Sequence, residues 1–293
     1  MTTGDPQPAP PLILVAGMHR SGTSLAGSIL QRLNVELPGT LIAADINNPE
    51  GYFERSDATE IQEQLLIALQ RWWPSANGIY TLPADWLDST PALEAAQRLK
   101  DIIRAEQRRQ NRAWAIKDPR ISLLLPLWLN IAMELRCPVR VIHCLRDPAE
   151  VVTSLVKRDH AATGMTHWRA QQLWWRHHLE LLRQRHSCPQ HYLLYDHWFD
   201  NRCGQQLQEL AQFCTGHRTE EHLLADAMTC IKPAHRRSRP KNIRISSRVR
   251  ALENTIRQLA EGKADIDPAV SDAWIARQPN VLRHALINLI RRD

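Results

Sequence analysis

No apolar run in this 293-residue chain is long enough to cross a membrane. The longest covers residues 121–133 and is broken by Pro126 and Asn130, whereas a bilayer span needs about 20 apolar residues. No basic region opens the chain: residues 1–10 carry Asp5 and three prolines and read as a short flexible leader, not as a secretory signal. Both absences point to a cytoplasmic protein. Metal-ligand spacing is missing too. The six cysteines (Cys137, Cys144, Cys188, Cys203, Cys214 and Cys230) include no C-x-x-C pair, and the 13 histidines include no H-E-x-x-H. The cysteines therefore read as reduced, mostly buried thiols. His177 and His178, in a helical pattern, read as structural. Acid is absent from residues 232–250, which hold eight Lys or Arg and so exceed the net charge of +6 of the whole chain. Aromatics and a clear amphipathic period are absent from the same segment before Ser246, which speaks against a nucleic-acid patch and for a small polyanion or a solvated loop.

What is present is an ordinary globular composition, 43% apolar and 23% charged, in a chain long enough for a large core. Strand-like runs at 12–16, 112–117, 139–145 and 191–195 are each followed by a helical pattern. Helices are expected at 23–33, 57–73, 91–109 with Thr90 as cap, from Asp147 onward, and near 166–186, 204–213 and 219–228. At "DPAE", Asp147 caps, Pro148 fits the first turn and Glu150 has capping-box spacing. Alternation of strand and helix predicts a three-layer α/β fold, a parallel sheet flanked by helices. The expected organisation is a leader (1–10), one α/β domain (11–245), and a helical C-terminal extension (246–293) packed on that domain. No internal repeat is found.

The segment "GMHRSGTS", residues 17–24, stands between the first strand and the first helix, where a phosphate-binding loop would stand. Gly17 and Gly22 let backbone amides curl around an anion at a helix N-terminus, and Arg20, Ser21, Thr23 and Ser24 add one charge and three hydroxyls. The lysine that grips a triphosphate in a Walker loop is missing, and Thr23 occupies its place. A triphosphate is a poor fit. A second junction, "VIHCLRDPAEVVTSL", puts Arg146 at a strand end and Ser154 eight residues on. A third, "AIKDPR", delivers Lys117 and Arg120 to the same edge. In a doubly wound sheet these junctions face one crevice. Two separated phosphates with no magnesium signature describe a 3′-phosphorylated adenosine nucleotide.

These residues resemble the sulfotransferases that use 3′-phosphoadenosine 5′-phosphosulfate (PAPS). The resemblance covers residues 12–200. "GMHRSGTS" is similar to the 5′-phosphosulfate loop of that family, Arg146 with Ser154 to its 3′-phosphate motif, and "NNPEGYFE" and "KDPR" to segments of bacterial members. Arg20 stands where cytosolic members have lysine, so a planar fork replaces a point charge. The dimerisation motif of the animal cytosolic enzymes is not found, and the oligomeric state stays open.

The resemblance implies a P-loop-like nucleotide-binding fold and sulfuryl transfer from PAPS to a hydroxyl acceptor by in-line attack without metal, leaving adenosine 3′,5′-bisphosphate. It implies a small-molecule or glycan acceptor, with carbohydrate or glycoconjugate by analogy, and no nucleic-acid partner. His19, Arg20, Ser21, Gly22, Thr23, Ser24, Arg146, Ser154 and Arg237 are expected to hold the nucleotide, and Arg20 and Lys117 to steady the leaving oxygen. The segment around Arg237 is expected to fold over the bound nucleotide. Glu54 is expected to act as general base, with Glu50 as the alternative. Asp118 is left as an orienting carboxylate or a helix cap. Trp72, Trp73, Trp174 and Trp175 are expected in the core, and Tyr195 and Asp196 in structural roles. Two other readings compete: a P-loop kinase or NTPase, and a polyanion or nucleic-acid binding module on the basic segment.

Overall fold

The computed structural model describes residues 9–46, 48–232 and 243–263. Its centre is a sheet of parallel strands in the order β2-β1-β3-β4, with β1 at Leu12–Ala16, β2 at Trp114–Lys117, β3 at Val139–Leu145 and β4 at Gln190–Leu194. Strand β1 is buried along its whole length, as a strand covered on both faces must be, and this explains its unbroken apolar run. Residues alternate across it. Leu12, Leu14 and Ala16 join one core, while Ile13 and Val15 join another.

Helices α1 (Thr23–Arg32), α7 (Cys203–Thr215) and α8 (Glu221–Met228) cover the Ile13 face. The Leu14 face is covered by α2 (Ser56–Ala68), α3 (Thr90–Arg109) and α4 (Ile121–Glu134). A third cluster joins α5 (Pro148–Thr163), α6 (His167–Arg183) and α9 (Ser247–Ala260) to the ends of β3 and β4. Val249, Leu252 and Ile256 of α9 are fully buried in it, so the described part of the C-terminal helical region shares this core. Residues 264–293 lie outside the described residues.

Three local expectations are corrected. Ser89, not Thr90, caps α3 and accepts from the Ala92 amide, because Thr90 already lies in the first turn ahead of Pro91. The pattern at 57–73 ends as a helix at Ala68, where Gln70 takes a positive φ of 55°. The strand-like run at 191–195 ends at Leu194, and Tyr195 begins a 3₁₀ turn, Tyr195–Phe199. The apolar run at 121–133 is α4, buried nearly all round against the sheet despite Pro126. Asp147 caps α5 as expected, accepting from the Ala149 and Glu150 amides, with Pro148 in the first turn.

The sheet order makes β1 the switch point: the chain leaves it for β2 on one side and returns to β3 on the other. Loops after β1, β2 and β3 therefore open at one edge, where the crevice of a doubly wound fold lies.

Candidate active site

A cavity of about 250 Å³ lies at that edge, lined among others by His19, Arg20, Glu54, Lys117, Arg146 and Tyr195. His19, Arg20, Gly22, Thr23 and Ser24 of the loop after β1 line it. Gly17 has φ 147°, and a Cβ there would stand 2.5 Å from the Cys144 carbonyl oxygen on the neighbouring strand. Gly22 is the N-cap of α1 at φ 91°, and a Cβ would meet the Tyr195 ring at 2.5 Å. Both positions therefore demand glycine, for conformation and for room. The amides of the first turn of α1 have no intrahelical acceptor and carry the positive end of the helix dipole toward the cavity. Ser122 of α4 accepts from the Gly17 amide at 2.9 Å and ties the loop to the opposite layer. The Ser21 hydroxyl is buried and has no hydrogen-bond partner among the described residues.

Arg146, Ser154 and Arg20 meet. The Arg20 backbone is left-handed, with φ 71°, which turns its side chain so that Nε donates to Ser154 Oγ at 2.9 Å. Arg146 donates to the Arg20 carbonyl at 3.3 Å, stacks 4.2 Å over the Tyr195 ring, and pairs with Glu150 at 2.7 Å. Glu150 thus holds Arg146 where capping-box spacing had suggested a bond back to the cap. Tyr195 is more than the end of a strand: it lies between Gly22 and Arg146 and forms part of the cavity wall.

On the other side Lys117, 2% exposed, donates to Glu54 Oε1 at 2.6 Å and to the Tyr52 carbonyl at 2.9 Å. The second Glu54 oxygen accepts from Arg120 at 3.3 Å. Arg120 also donates to Asp118, its backbone amide at 2.8 Å and its guanidinium at 3.0 Å. Asp118 in turn accepts from Thr59 and Gln62 of α2, and Gln62 accepts from Trp128 of α4. Two cations and two carboxylates, all buried, thus form one network hung from α2 and α4. Burial would weaken the hold of Arg120 on its proton, but Asp118, Glu54 and Glu63 more than offset this and keep it charged.

His19 is 9% exposed and lies 4.4 Å from the Trp73 ring, with the His177 ring 6.5 Å away. Its Nε2 is buried without a hydrogen-bond partner among the described residues. Burial first, and then Arg120, Arg158, His177 and Lys117, hold the imidazole well below its usual pKa, so it is neutral. Glu50 is exposed on the cavity rim and pairs with Lys232. Arg237 lies outside the described residues. The flanks of its segment are anchored: Arg244 and Ser246 bond Gln171, and Arg250 pairs with Asp147.

Sequence reasoning missed Arg158, which lines the cavity from α5 and lies 5.3 Å over Trp73; its spacing four residues after Ser154 places it one turn along the same helix face. It also gave no role to Asn48, whose amide donates to Ser24 Oγ at 3.1 Å, although the residue lies in the "NNPEGYFE" segment. Of the tryptophans, Trp73, Trp174 and Trp175 are buried, while Trp72 is 36% exposed and donates to Glu63. Among the described residues no helix is long and apolar enough to cross a membrane, and no cluster of three or more His, Cys, Asp or Glu could hold a metal ion.

No family model matches the chain, and no curated protein matches it in sequence. Solved structures do. The sulfotransferase domain of the Synechococcus PCC 7002 olefin synthase superposes with a TM-score of 0.51 at 18% identity, covering 90% of this chain and 98% of that one. Sulfotransferase STF9 from Mycobacterium avium gives 0.51 at 16% identity, covering 89% of this chain and 78% of that one. The fold is that of bacterial-type sulfotransferase domains.

Proposed function

We propose that this chain, built on the sulfotransferase fold, is a PAPS-dependent sulfotransferase that moves a sulfuryl group to a hydroxyl acceptor. The observation that carries the reading is the convergence, in one cavity, of a lysine-less loop of phosphate-binding type with Arg20, Arg146 and Lys117, the first bonded to Ser154 and the last sharing Glu54 with Arg120 behind the cavity wall. The residues present fit a nucleotide with a phosphate at each end: the Thr23 and Ser24 side chains and the α1 amides for the 5′ side, Arg146 with Ser154 for the 3′ side. When bound, the nucleotide supplies an activated sulfuryl group on its 5′-phosphate.

The chain's own residues then position and neutralise. Sulfuryl transfer needs alignment and charge stabilisation more than covalent help. Gly17 and Gly22 let the backbone approach the 5′-phosphate. Lys117 and Arg20 belong at the oxygen that gains charge as the sulfuryl group leaves. Glu54 aims Lys117 into the cavity, and Glu150 keeps Arg146 extended over Tyr195 until a 3′-phosphate competes for it. The acceptor is a small molecule or a glycan; carbohydrate follows from the family resemblance and from no residue in the cavity. The protein acts in the cytoplasm, as its sequence suggests.

A ligand that binds only the folded state raises the melting temperature. Adenosine 3′,5′-bisphosphate should therefore stabilise the protein in EDTA, since the proposed contacts are amides, hydroxyls and cationic side chains. Greater stabilisation by ATP with magnesium would overturn the reading in favour of a kinase or NTPase. Stabilisation by oligonucleotides alone would favour a binding module on the basic segment.

A further inference from the structure

One cation of the cavity lining has no task in the transfer itself. Arg146 meets the 3′-phosphate, and Arg20 and Lys117 the leaving oxygen; Arg158 of α5 remains. Its guanidinium is held on two sides. Nε and Nη2 donate to the two oxygens of Asp159 at 2.6 and 2.8 Å, and the group lies 5.3 Å from the centre of the Trp73 ring. Nη1 has no hydrogen-bond partner among the described residues and keeps some accessible surface, within a side chain that is 19% exposed. The result is a planar fork already ordered, with one edge open, and such a fork matches a carboxylate. Both acids of the lining are engaged elsewhere, Glu54 with Lys117 and Arg120, and Glu50 with Lys232. No acid of the lining therefore matches the charge that Arg158 adds to it. The residue also stands apart from the 3′-phosphate cluster, four residues beyond Ser154 and so about 6 Å along α5. Its field reaches Tyr52, on the segment that carries Glu54: burial pushes the Tyr52 phenol up to about 12, and Arg158 counters that rise.

We propose that Arg158 is a specificity-determining residue that receives a carboxylate of the acceptor, so that the substrate is a hydroxy acid with its hydroxyl and its carboxylate held in the one cavity. The proposal rests on the sulfuryl-transfer reading and names the substrate class of that site. A carboxylate oxygen accepts from Nη1 while Asp159 keeps Nε and Nη2, so the guanidinium is shared and its existing pair is not broken. The carboxylate does not react. Its contact with Arg158 is the same in the ground state and the transition state, and loss of the contact therefore falls on KM and not on kcat. A neutral acceptor would displace water from Nη1 and offer no charge in return.

The test uses protein saturated with adenosine 3′,5′-bisphosphate and a series of straight-chain ω-hydroxy acids, from glycolate upward, beside their primary amides, which keep the shape and remove the charge. At least one acid should raise the melting temperature further, with an affinity about 10–100-fold above that of its amide, as a hydrogen bond to a charged group is worth. Arg158→Gln should bring acid and amide level, and Arg158→Lys should keep part of the preference. Stabilisation by the bisphosphate alone should persist in both variants. With PAPS in place of the bisphosphate, that acid should be sulfated, with KM about 10–100-fold higher in Arg158→Gln and kcat nearly unchanged. Acids and amides that bind alike, no acid binding at about 10 mM, a preference that survives Arg158→Gln, or a bound acid that is never sulfated would each overturn the proposal. So would loss of the bisphosphate's stabilisation in Arg158→Gln, which would place Arg158 on the nucleotide. Asp159 is 9% exposed and would lose its partner, so Arg158→Gln combined with Asp159→Asn carries the same comparisons should the single variant not fold. Absence of stabilisation by the bisphosphate in the wild type would instead overturn the sulfotransferase reading itself.

Discussion

Arg146 carries the sharpest expectation for a single residue. It is 7% exposed, stacked on Tyr195, and paired with Glu150 four residues on. A 3′-phosphate arriving there would meet a guanidinium already extended and largely desolvated, so little ordering is left to do. Arg146→Ala should weaken 3′-phosphorylated nucleotides by about 2–5 kcal/mol, while adenosine 5′-phosphosulfate, which lacks that phosphate, should bind nearly as before. Titration calorimetry with the two ligands distinguishes the outcomes, and an equal loss for both would remove Arg146 from the 3′ site. The sequence already pointed to this residue, because a cation at a strand end followed by a capped helix is a local pattern. It could not foresee that Glu150 would hold the side chain, since the same spacing also fits a capping box.

At the scale of elements, the network from Lys117 through Glu54, Arg120 and Asp118 to Thr59 and Gln62 joins the end of β2 to the loop before α2 and to α2 itself. Removing one partner from a buried ion pair leaves the other uncompensated, at a cost of about 3–5 kcal/mol. Glu54→Gln should accordingly lower folding stability by about 3 kcal/mol in urea denaturation, as well as slowing turnover. A general base that held no cation would give the turnover loss with stability unchanged, so the urea midpoint separates the two roles. "KDPR" and "GYFE" were each legible as segments. Their union was not, because Glu54 and Lys117 are 63 residues apart and only the packing of α2 and α4 against β1 and β2 brings them together.

The whole molecule carries an acid sensitivity in its core. His143 of β3 bonds His178 of α6 at 2.8 Å, and His177 bonds the Leu173 carbonyl. Burial lowers His143 to about 3 and His177 to about 4, the latter despite its backbone bond, and holds His178 well below its usual value. All three are neutral in the fold, whereas the unfolded chain binds their protons below about 6.5. Their favourable contribution is fully present above that pH and is lost as pH falls toward the folded values, by up to about 1.4 kcal/mol per pH unit for each histidine. Urea midpoints should be flat above pH 7 and fall steeply from 6.5 to 4, with a shallower fall in His143→Gln. A midpoint independent of pH across that range would mean that these imidazoles are solvated.

The amino-acid sequence alone determined the layered α/β fold, the glycine-bearing loop between β1 and α1, the cap of α5 and the candidate cations. Those features rest on short-range rules: apolar runs of strand length, glycine where φ is positive, a carboxylate one residue ahead of proline at a helix start. Tertiary structure decided which charges pair. Asn48 and Arg158 reach the cavity, Tyr195 becomes a wall, and the cation expected to steady the leaving oxygen, Arg20, also bonds Ser154. It also decided that Glu54 spends both oxygens on Lys117 and Arg120, while the His19 Nε2 is buried without a partner among the described residues. The reason is physical: burial and hydrogen bonding are properties of the packed neighbourhood, and residues far apart in the chain supply most of it.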